Sequence, residues 1–148
     1  MASLSAKIDI PPLILLLENE DDDVFFFRRA LSACEFVADL RIVQTAAQAR
    51  DYLEGKGEFR DRTYYRTPNL IVTDFQMHGQ TGVDFIRWIK QQPDYKEIPV
   101  AMYSARALPA DMTAALESGA AAFFSKSNDF AAVCESVTGM FRLLPPPA

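Results

Sequence analysis

The length, composition and charge of the chain describe one globular domain and exclude several classes of partner. The chain has 148 residues, with 49% hydrophobic and 24% charged side chains, which is sufficient for a single hydrophobic core. Its formal net charge of −5 opposes attraction to nucleic-acid phosphates and to anionic lipid surfaces. We therefore expect neither a nucleic acid nor a membrane as a partner.

The N-terminal part of the sequence lacks the features of a membrane anchor or a signal peptide. The apolar run Leu13–Leu17 is far shorter than the roughly 20 residues of a membrane-spanning helix, and no small-residue cleavage site follows it. We expect a cytoplasmic protein with an N-terminal extension (1–11), one domain (12–143) and a Pro-rich tail (144–148). Cys34 and Cys134 form no CxxC pair and are predicted to be buried thiols rather than metal or redox ligands.

Short apolar runs alternate with segments of helical periodicity along the chain. In chain order, the predicted strands are Leu13–Leu17, Leu40–Val43, Leu70–Thr73, Val100–Tyr103 and Ala122–Phe124. The predicted helices are Val24–Ala33, Ala46–Leu53, Val83–Lys90, Asp111–Ser118 and Phe130–Leu143. Five such strand–helix units with continuously apolar strands are typical of a parallel sheet covered by helices on both faces.

Two aromatic segments do not follow this simple pattern. The run Phe25–Phe27 contains more rings than one helical face can bury, so at least one ring is expected to be partly exposed. The charged and aromatic segment Glu58–Pro68 is predicted to be a surface connector before the third strand.

Polar residues follow four of the five predicted strands. They are Glu18, Asn19 and Glu20 after the first, Asp74 after the third, Ser104 after the fourth and Lys126 after the fifth. Ligands of open parallel sheets bind at the carboxyl ends of the strands, so these side chains are expected to converge. Carboxylates that hold Mg²⁺, together with one lysine, suit phosphoryl transfer, with Asp74 as the nucleophile.

Motifs in the second half of the chain have the type and spacing of a known family. The stretch Leu70–Met77 followed by Gly82, the segment Ile98–Ser104, and Gly119-Ala120 followed by Phe123–Lys126 occur in one order. From about Leu13 to Leu143, the chain resembles the receiver domains of bacterial two-component response regulators. The resemblance implies a flavodoxin-like (βα)5 fold of the α/β class, a doubly wound five-stranded parallel sheet in the order 2-1-3-4-5.

The resemblance also implies a phosphoacceptor with a metal site beside it. Asp74 would accept the phosphoryl group, and Glu18 and Asn19 would occupy the positions of the family's acidic pair. The backbone carbonyl of Gln76 would complete the shell of a Mg²⁺ cofactor. The donor would be a histidine kinase or a phosphotransfer protein.

A conformational switch is the third property that the resemblance implies. Lys126 would grip the phosphoryl group, Ser104 would swing toward its oxygens, and the rotamer of Phe123 would follow. The output would be a contact with another protein, with a homodimer partner or with the kinase itself. The long connector is most similar to that of small single-domain regulators paired with bacterial phytochromes.

The sequence departs from the family pattern at three positions. Asn19 stands where the family usually has Asp, which removes a charge that Glu20 or Asp21–Asp23 could replace if the loop folds inward. Ser127 replaces a Pro that follows a cis bond in the family, and we expect a trans bond here. His78, also in place of a Pro, is expected to be a solvent-facing loop residue; the alternative is a local base or weak metal ligand.

Two alternatives remain open at the level of sequence. A degenerate receiver would keep the fold as an interaction module that needs no phosphorylation, and Asn19 and Ser127 favour it. A phosphatase-type hydrolase with a nucleophilic Asp is less favoured, because that class generally has a second acid where Gln76 stands. A mass gain, or a change in Trp88 fluorescence, with Mg²⁺ and acetyl phosphate or beryllofluoride would support the phosphorylated switch.

Overall fold

The computed structural model describes residues 10–77 and 79–145. Most of the predicted N-terminal extension, the end of the predicted Pro-rich tail and His78 lie outside these residues. The prediction for the His78 side chain therefore has no structural counterpart, and the domain limits proposed from the sequence stay a prediction.

Five parallel strands form the central sheet. They are β1 (Leu13–Leu17), β2 (Asp39–Val43), β3 (Leu70–Thr73), β4 (Val100–Ser104) and β5 (Ala122–Ser125). The strand order is β2-β1-β3-β4-β5, which confirms the predicted flavodoxin-like order. A small antiparallel hairpin, Gln76–Met77 paired with Gln80–Thr81, follows β3.

Five α-helices connect and follow the strands. They are α1 (Asp21–Ala33), α2 (Ala46–Glu54), α3 (Gly82–Lys90), α4 (Pro109–Ser118) and α5 (Phe130–Phe141). The predicted helices are confirmed, with shifts at their ends. Helix α1 begins earlier than predicted, so its first turn consists of three acids, and negative charge is favourable at that end of a helix.

Local signals in the sequence explain where several helices begin and end. The side chains of Thr45, Thr81 and Asp129 accept hydrogen bonds from backbone N–H groups in the first turns of α2, α3 and α5. Helix α4 begins with Pro109 and ends before Gly119, whose φ of 118° suits a residue without a side chain.

The core lies in two layers, one on each face of the sheet. Alternate residues of β1 point to opposite faces, as in any strand. Leu13, Leu15 and Leu17 pack in the layer formed with α2, α3 and α4, whereas Ile14 and Leu16 pack in the layer formed with α1 and α5. Burial on both faces explains why this strand is continuously apolar.

The two aromatic segments differ in how well the sequence predicted them. Phe27 is buried while Phe25 and Phe26 are exposed, as expected. The prediction that Glu58–Pro68 is only a surface connector is wrong for Phe59, which is buried in a short 3₁₀ helix (Gly57–Phe59). Phe59 packs against Tyr52 and Tyr65, so the connector extends the core beside α2.

Both cysteines are free, but they are half-buried rather than buried as predicted. Cys34 follows α1 and Cys134 lies on α5, two helices that pack together. Burial, together with a hydrogen bond to Cys34, raises the pKa of the Cys134 thiol. Within 10–77 and 79–145, none of the helices is both long and apolar enough to cross a bilayer.

Candidate functional site

Backbone hydrogen bonds extend the sheet to the predicted site residues. The N–H of Glu18 donates to Val43, that of Asp74 to Leu17, and that of Lys126 to Ser104. Each site residue thus follows its strand directly and is held by a neighbouring strand. The carboxyl ends of β1, β3, β4 and β5 meet at one edge, which is where the sequence predicted the site.

The Lys126 ammonium is the centre of the site. Its Nζ lies 2.6 Å from Glu18 Oε1, 2.8 Å from Asp23 Oδ2 and 3.0 Å from Asp74 Oδ2. The Glu18 side chain is 2% exposed and that of Lys126 is 9% exposed, so these charges interact in a poorly solvated environment. The structure therefore brings three of the predicted residues together and adds Asp23.

One ammonium shared by three carboxylates leaves an excess of negative charge. Burial raises the pKa of the Glu18 carboxyl, and the hydrogen bond and charge of Lys126 only partly offset this effect. Burial alone would lower the pKa of Lys126, but its hydrogen bonds to Asp23 and Glu18 and the charge of Asp74 outweigh burial and raise it. Lys126 is consequently charged at any ordinary pH.

A cleft of about 390 Å³ opens on one side of Asp74. It is lined by Asn19, Glu20, Asp74, Gln76 and Met77. These residues offer carboxylate, amide and backbone carbonyl oxygens, which are the donors that a hard cation such as Mg²⁺ prefers. Glu18 does not line the cleft, and its carboxylate accepts hydrogen bonds from Lys126 and from the N–H of Glu20. The donor types fit Mg²⁺, although the described residues hold no ready cluster of three acidic, His or Cys ligands.

Ser104 and Phe123, the predicted switch residues, lie beside the site on adjacent strands. Ser104 is buried, and its Oγ accepts a hydrogen bond of 3.1 Å from the N–H of Arg106. Among the described residues it makes no hydrogen bond to Asp74. Phe123 is half-buried on β5 opposite Met102. Ser104 thus ends β4 at the same sheet edge as Lys126 and is held by the loop that follows β4, and neither switch residue lines the cleft.

The loop after β4 carries an arginine that the sequence did not single out. Arg106 Nε lies 2.9 Å from the buried Asp111 carboxylate, an ion pair whose angle departs from that of a good hydrogen bond. The same guanidinium lies over the ring of Phe75, which directly follows Asp74. The only sequence signal was the position of Arg106 two residues after Ser104, close to a predicted strand end.

Asp23 is the residue of the site that the sequence left undecided. It belongs to the acidic run Glu20–Asp23, which the sequence offered as a replacement for the charge missing at Asn19, and the first three residues of this run are exposed. Asp23 alone reaches Lys126, because it is the third residue of α1. The Lys126–Ser127 bond is trans, as predicted.

Comparison with protein families gives one match over most of the chain. The model described as the response regulator receiver domain matches residues 14–138. Two-component response regulator ARR9 of Arabidopsis thaliana is 41% identical over 58 residues, which are 39% of this chain and 25% of that protein. ARR5 of the same plant is 32% identical over 98 residues, or 65% of this chain and 51% of that protein. The chain therefore matches a quarter to about half of the length of these relatives.

Solved structures share the fold over almost the whole chain. A response regulator in red light signaling of R. palustris, RPA3017, has a TM-score of 0.84 at 24% identity, over 93% of this chain and 96% of that one. The Mn²⁺-bound response regulator Rcp1 has a TM-score of 0.80 at 27% identity, over 93% and 100%. The predicted resemblance is confirmed: on this fold, these motifs and this family match, the chain belongs to the response regulator receiver domains.

Proposed function

We propose that this domain accepts a phosphoryl group on Asp74 from a histidine kinase or a phosphotransfer protein and signals by a change in protein contacts. One observation carries the proposal. The Asp74 carboxylate has Lys126 at 3.0 Å on one side and an oxygen-lined cleft on the other. A nucleophile between a fixed cation and a place for a second cation is the arrangement that phosphoryl transfer needs.

The Asp74 carboxylate is the nucleophile of the proposed transfer. Oδ1 accepts a 2.6 Å hydrogen bond from the N–H of Phe75, which holds the carboxylate in place. A carboxylate oxygen attacks the phosphorus of a phosphohistidine, the phosphorus–nitrogen bond breaks, and the imidazole leaves with the bonding electron pair. Lys126 then exchanges carboxylate partners for the new phosphoryl oxygens.

The cleft residues would hold Mg²⁺ during this step. Asp74, Asn19 and Gln76 line the cleft, where the backbone carbonyl of Gln76 would be the third ligand, and Glu18 adds negative charge nearby through its ion pair with Lys126. When bound, Mg²⁺ supplies positive charge that neutralises the phosphoryl oxygens. Asn19 contributes a neutral oxygen, so the direct ligands carry less charge than two adjacent acids would.

The switch belongs to the same proposal. Ser104 Oγ now accepts a hydrogen bond from the N–H of Arg106, whereas a phosphoryl group on Asp74 would offer the Ser104 hydroxyl a charged acceptor to which it can donate. Movement of Ser104 toward that acceptor leaves space that Phe123 can enter. The readout is a contact with another protein in the cytoplasm, with a second copy or with the kinase. The only chemistry of the domain itself is its own phosphorylation and dephosphorylation.

Intact-mass spectrometry after incubation with Mg²⁺ and acetyl phosphate tests this function. The wild type is expected to gain one phosphoryl group, and Asp74→Asn is expected to gain none. Intact mass is a better readout than Trp88 fluorescence, because Trp88 stacks on Phe85 and does not line the cleft. A wild type that never gains mass, with a small-molecule donor or with beryllofluoride, contradicts the proposal.

Asn19 supports a second candidate function. With a neutral amide in the cleft, the domain could act as an interaction module that needs no phosphorylation. In that case Asp74→Asn would leave every contact with its partners unchanged, whereas the phosphorylated switch requires those contacts to depend on Asp74.

A further inference from the structure

Asp23 is a site acid that has no role in the function proposed above. It is the third of three consecutive acids in the first turn of α1, and it differs from the other two. Asp21 and Asp22 are exposed and make no hydrogen bond to the site among the described residues, whereas Asp23 Oδ2 lies 2.8 Å from Lys126 Nζ. The position at which α1 begins therefore brings one acid of the three, Asp23, into contact with the site.

The charge of the group in contact with Lys126 depends on this one side chain. Its three carboxylates and one ammonium carry a formal charge equal and opposite to that of one divalent cation. Glu20 also lines the cleft, but it is exposed, so water and salt screen its charge. Without Asp23, the neutral Asn19 would leave the poorly solvated group one negative charge short. An acid at position 19 and none at position 23 would give the same total as the present arrangement.

Asp23 and Asn19 line two different cavities. Asn19 lines the cleft with Asp74 and Gln76, while Asp23 borders a separate hollow together with Ser127 and Phe130. Asp23 is therefore not a ligand in the cleft. Its contact is with Lys126. Because that ammonium is hydrogen-bonded to both Asp23 and Asp74, the interacting oxygens of these two carboxylates lie within about 6 Å of each other, which is close enough for strong electrostatic coupling.

The effect of Asp23 on a cation in the cleft follows from Lys126. An ammonium next to Asp74 repels a divalent cation, and the repulsion is strong because Lys126 and Glu18 are almost completely buried. A carboxylate hydrogen-bonded to that ammonium reduces the repulsion without occupying the cleft. It also gives Lys126 a second partner when Asp74 engages another group.

We propose that Asp23 is a positioning residue that supplies, from the Lys126 side, the negative charge that Asn19 does not supply in the cleft. The inference rests on the proposed function, since it concerns the cation of that same site. In this arrangement the two acids beside Asp74, Glu18 and Asp23, are both hydrogen-bonded to Lys126, and the residue that would bind the cation in the cleft, Asn19, is neutral.

A charge-swap experiment tests this inference through direct cation binding. The loss of the electron paramagnetic resonance signal of free Mn²⁺ measures cation affinity in the wild type and in Asp23→Asn, Asn19→Asp and the double variant. Asp23→Asn is expected to weaken Mn²⁺ binding about tenfold, and Asn19→Asp to strengthen it. The double variant is expected to return to within about threefold of the wild type, because the total charge is restored.

Asp22→Asn is the matched control. It removes the same charge one residue earlier from an exposed side chain, and is expected to change the affinity less than about twofold. Equal affinities of Asp23→Asn and Asp22→Asn would overturn the inference, as would a double variant no better than Asp23→Asn. A wild type that does not bind Mn²⁺ would overturn it too.

Labelling by acetyl phosphate separates this inference from the proposed function. If the wild type is labelled and Asp23→Asn binds Mn²⁺ normally, only the inference fails. If the wild type binds Mn²⁺ in an Asp23-dependent way but never gains a phosphoryl group, the inference stands and the proposed function fails.

Discussion

Glu18 and Lys126 show how burial and charge compete at the scale of single residues. Both side chains are buried, and each is the other's nearest charged partner. For Lys126, contacts with three carboxylates outweigh burial, and its pKa is raised. For Glu18, one shared ammonium does not outweigh burial, and its pKa is raised as well. The site is therefore held together at a cost in stability that depends on the ionisation of Glu18.

This cost predicts how Glu18→Gln changes the pH dependence of stability. A carboxyl whose pKa is raised by folding contributes stability below its unfolded pKa, near 4.5, and loses that contribution as the pH rises through its folded pKa. The free energy of unfolding of Glu18→Gln, relative to the wild type, is expected to increase as the pH rises from about 4.5 through the raised folded pKa of Glu18. Urea denaturation at several pH values measures this difference, in which titratable groups that do not interact with Glu18 cancel. A difference that is constant, or that falls with pH, contradicts the assignment.

At the scale of elements, the start of α3 is hydrogen-bonded to the segment that directly follows β3. The N–H of Gly82 donates to the carbonyl of Phe75 at 2.7 Å. A side chain at position 82 would meet the backbone carbonyl of Asp74 and the Met102 side chain. The glycine thus allows the helix to approach β3 closely enough to fix the residues after Asp74.

Gly82→Ala is therefore expected to destabilise the protein by about 1–3 kcal/mol, because a backbone atom cannot give way as a flexible side chain can. Labelling of Asp74 by acetyl phosphate is expected to fall as well. Urea denaturation and intact mass measure the two effects.

Gly57→Ala is the control for this variant. Its Cβ would meet no atom, but its φ of 61° makes a side chain unfavourable by about 1–2 kcal/mol. It is expected to lose stability without losing labelling. Equal labelling of the two variants would show that the contact with Asp74 has no functional effect.

At the scale of the whole molecule, the site joins elements that are distant in sequence. Glu18 and Lys126 are separated by 108 positions and Asp74 and Lys126 by 52, and both pairs form hydrogen bonds. Any ligand that binds this constellation holds β1, β3 and β5 together. Binding is consequently linked to global unfolding, since the unfolded chain has no such site.

Beryllofluoride with Mg²⁺, as a mimic of the phosphoryl group, is expected to raise the melting temperature. At a hundredfold excess over its dissociation constant, a ligand adds about 2.7 kcal/mol, which corresponds to roughly 5–10 °C for a domain of this size. Differential scanning fluorimetry measures the shift. Asp74→Asn, with no carboxylate to bind beryllium, is expected to show little of it, and an equal shift in this variant would place the ligand elsewhere.

The sequence by itself determined the fold and most of the site. Continuously apolar strands and their alternation with amphipathic helices are local signals, because they depend on neighbouring residues. They predicted the five strand–helix units and placed Asp74 and Lys126 at the same sheet edge. The topology of parallel strands then made their convergence a geometric consequence.

Three features were decided only by the tertiary structure. They are the ion pair of Lys126 with Asp23 rather than with another acid of the run Glu20–Asp23, the burial of Phe59, and the ion pair of Arg106 with Asp111. Each depends on the exact start of a helix or the path of a loop, and a shift of one residue on a helix turns a side chain by about 100°. Composition cannot distinguish Asp22 from Asp23, since both are acids in the same turn. Their different environments result from packing of α1 on the sheet, which is a property of the whole fold.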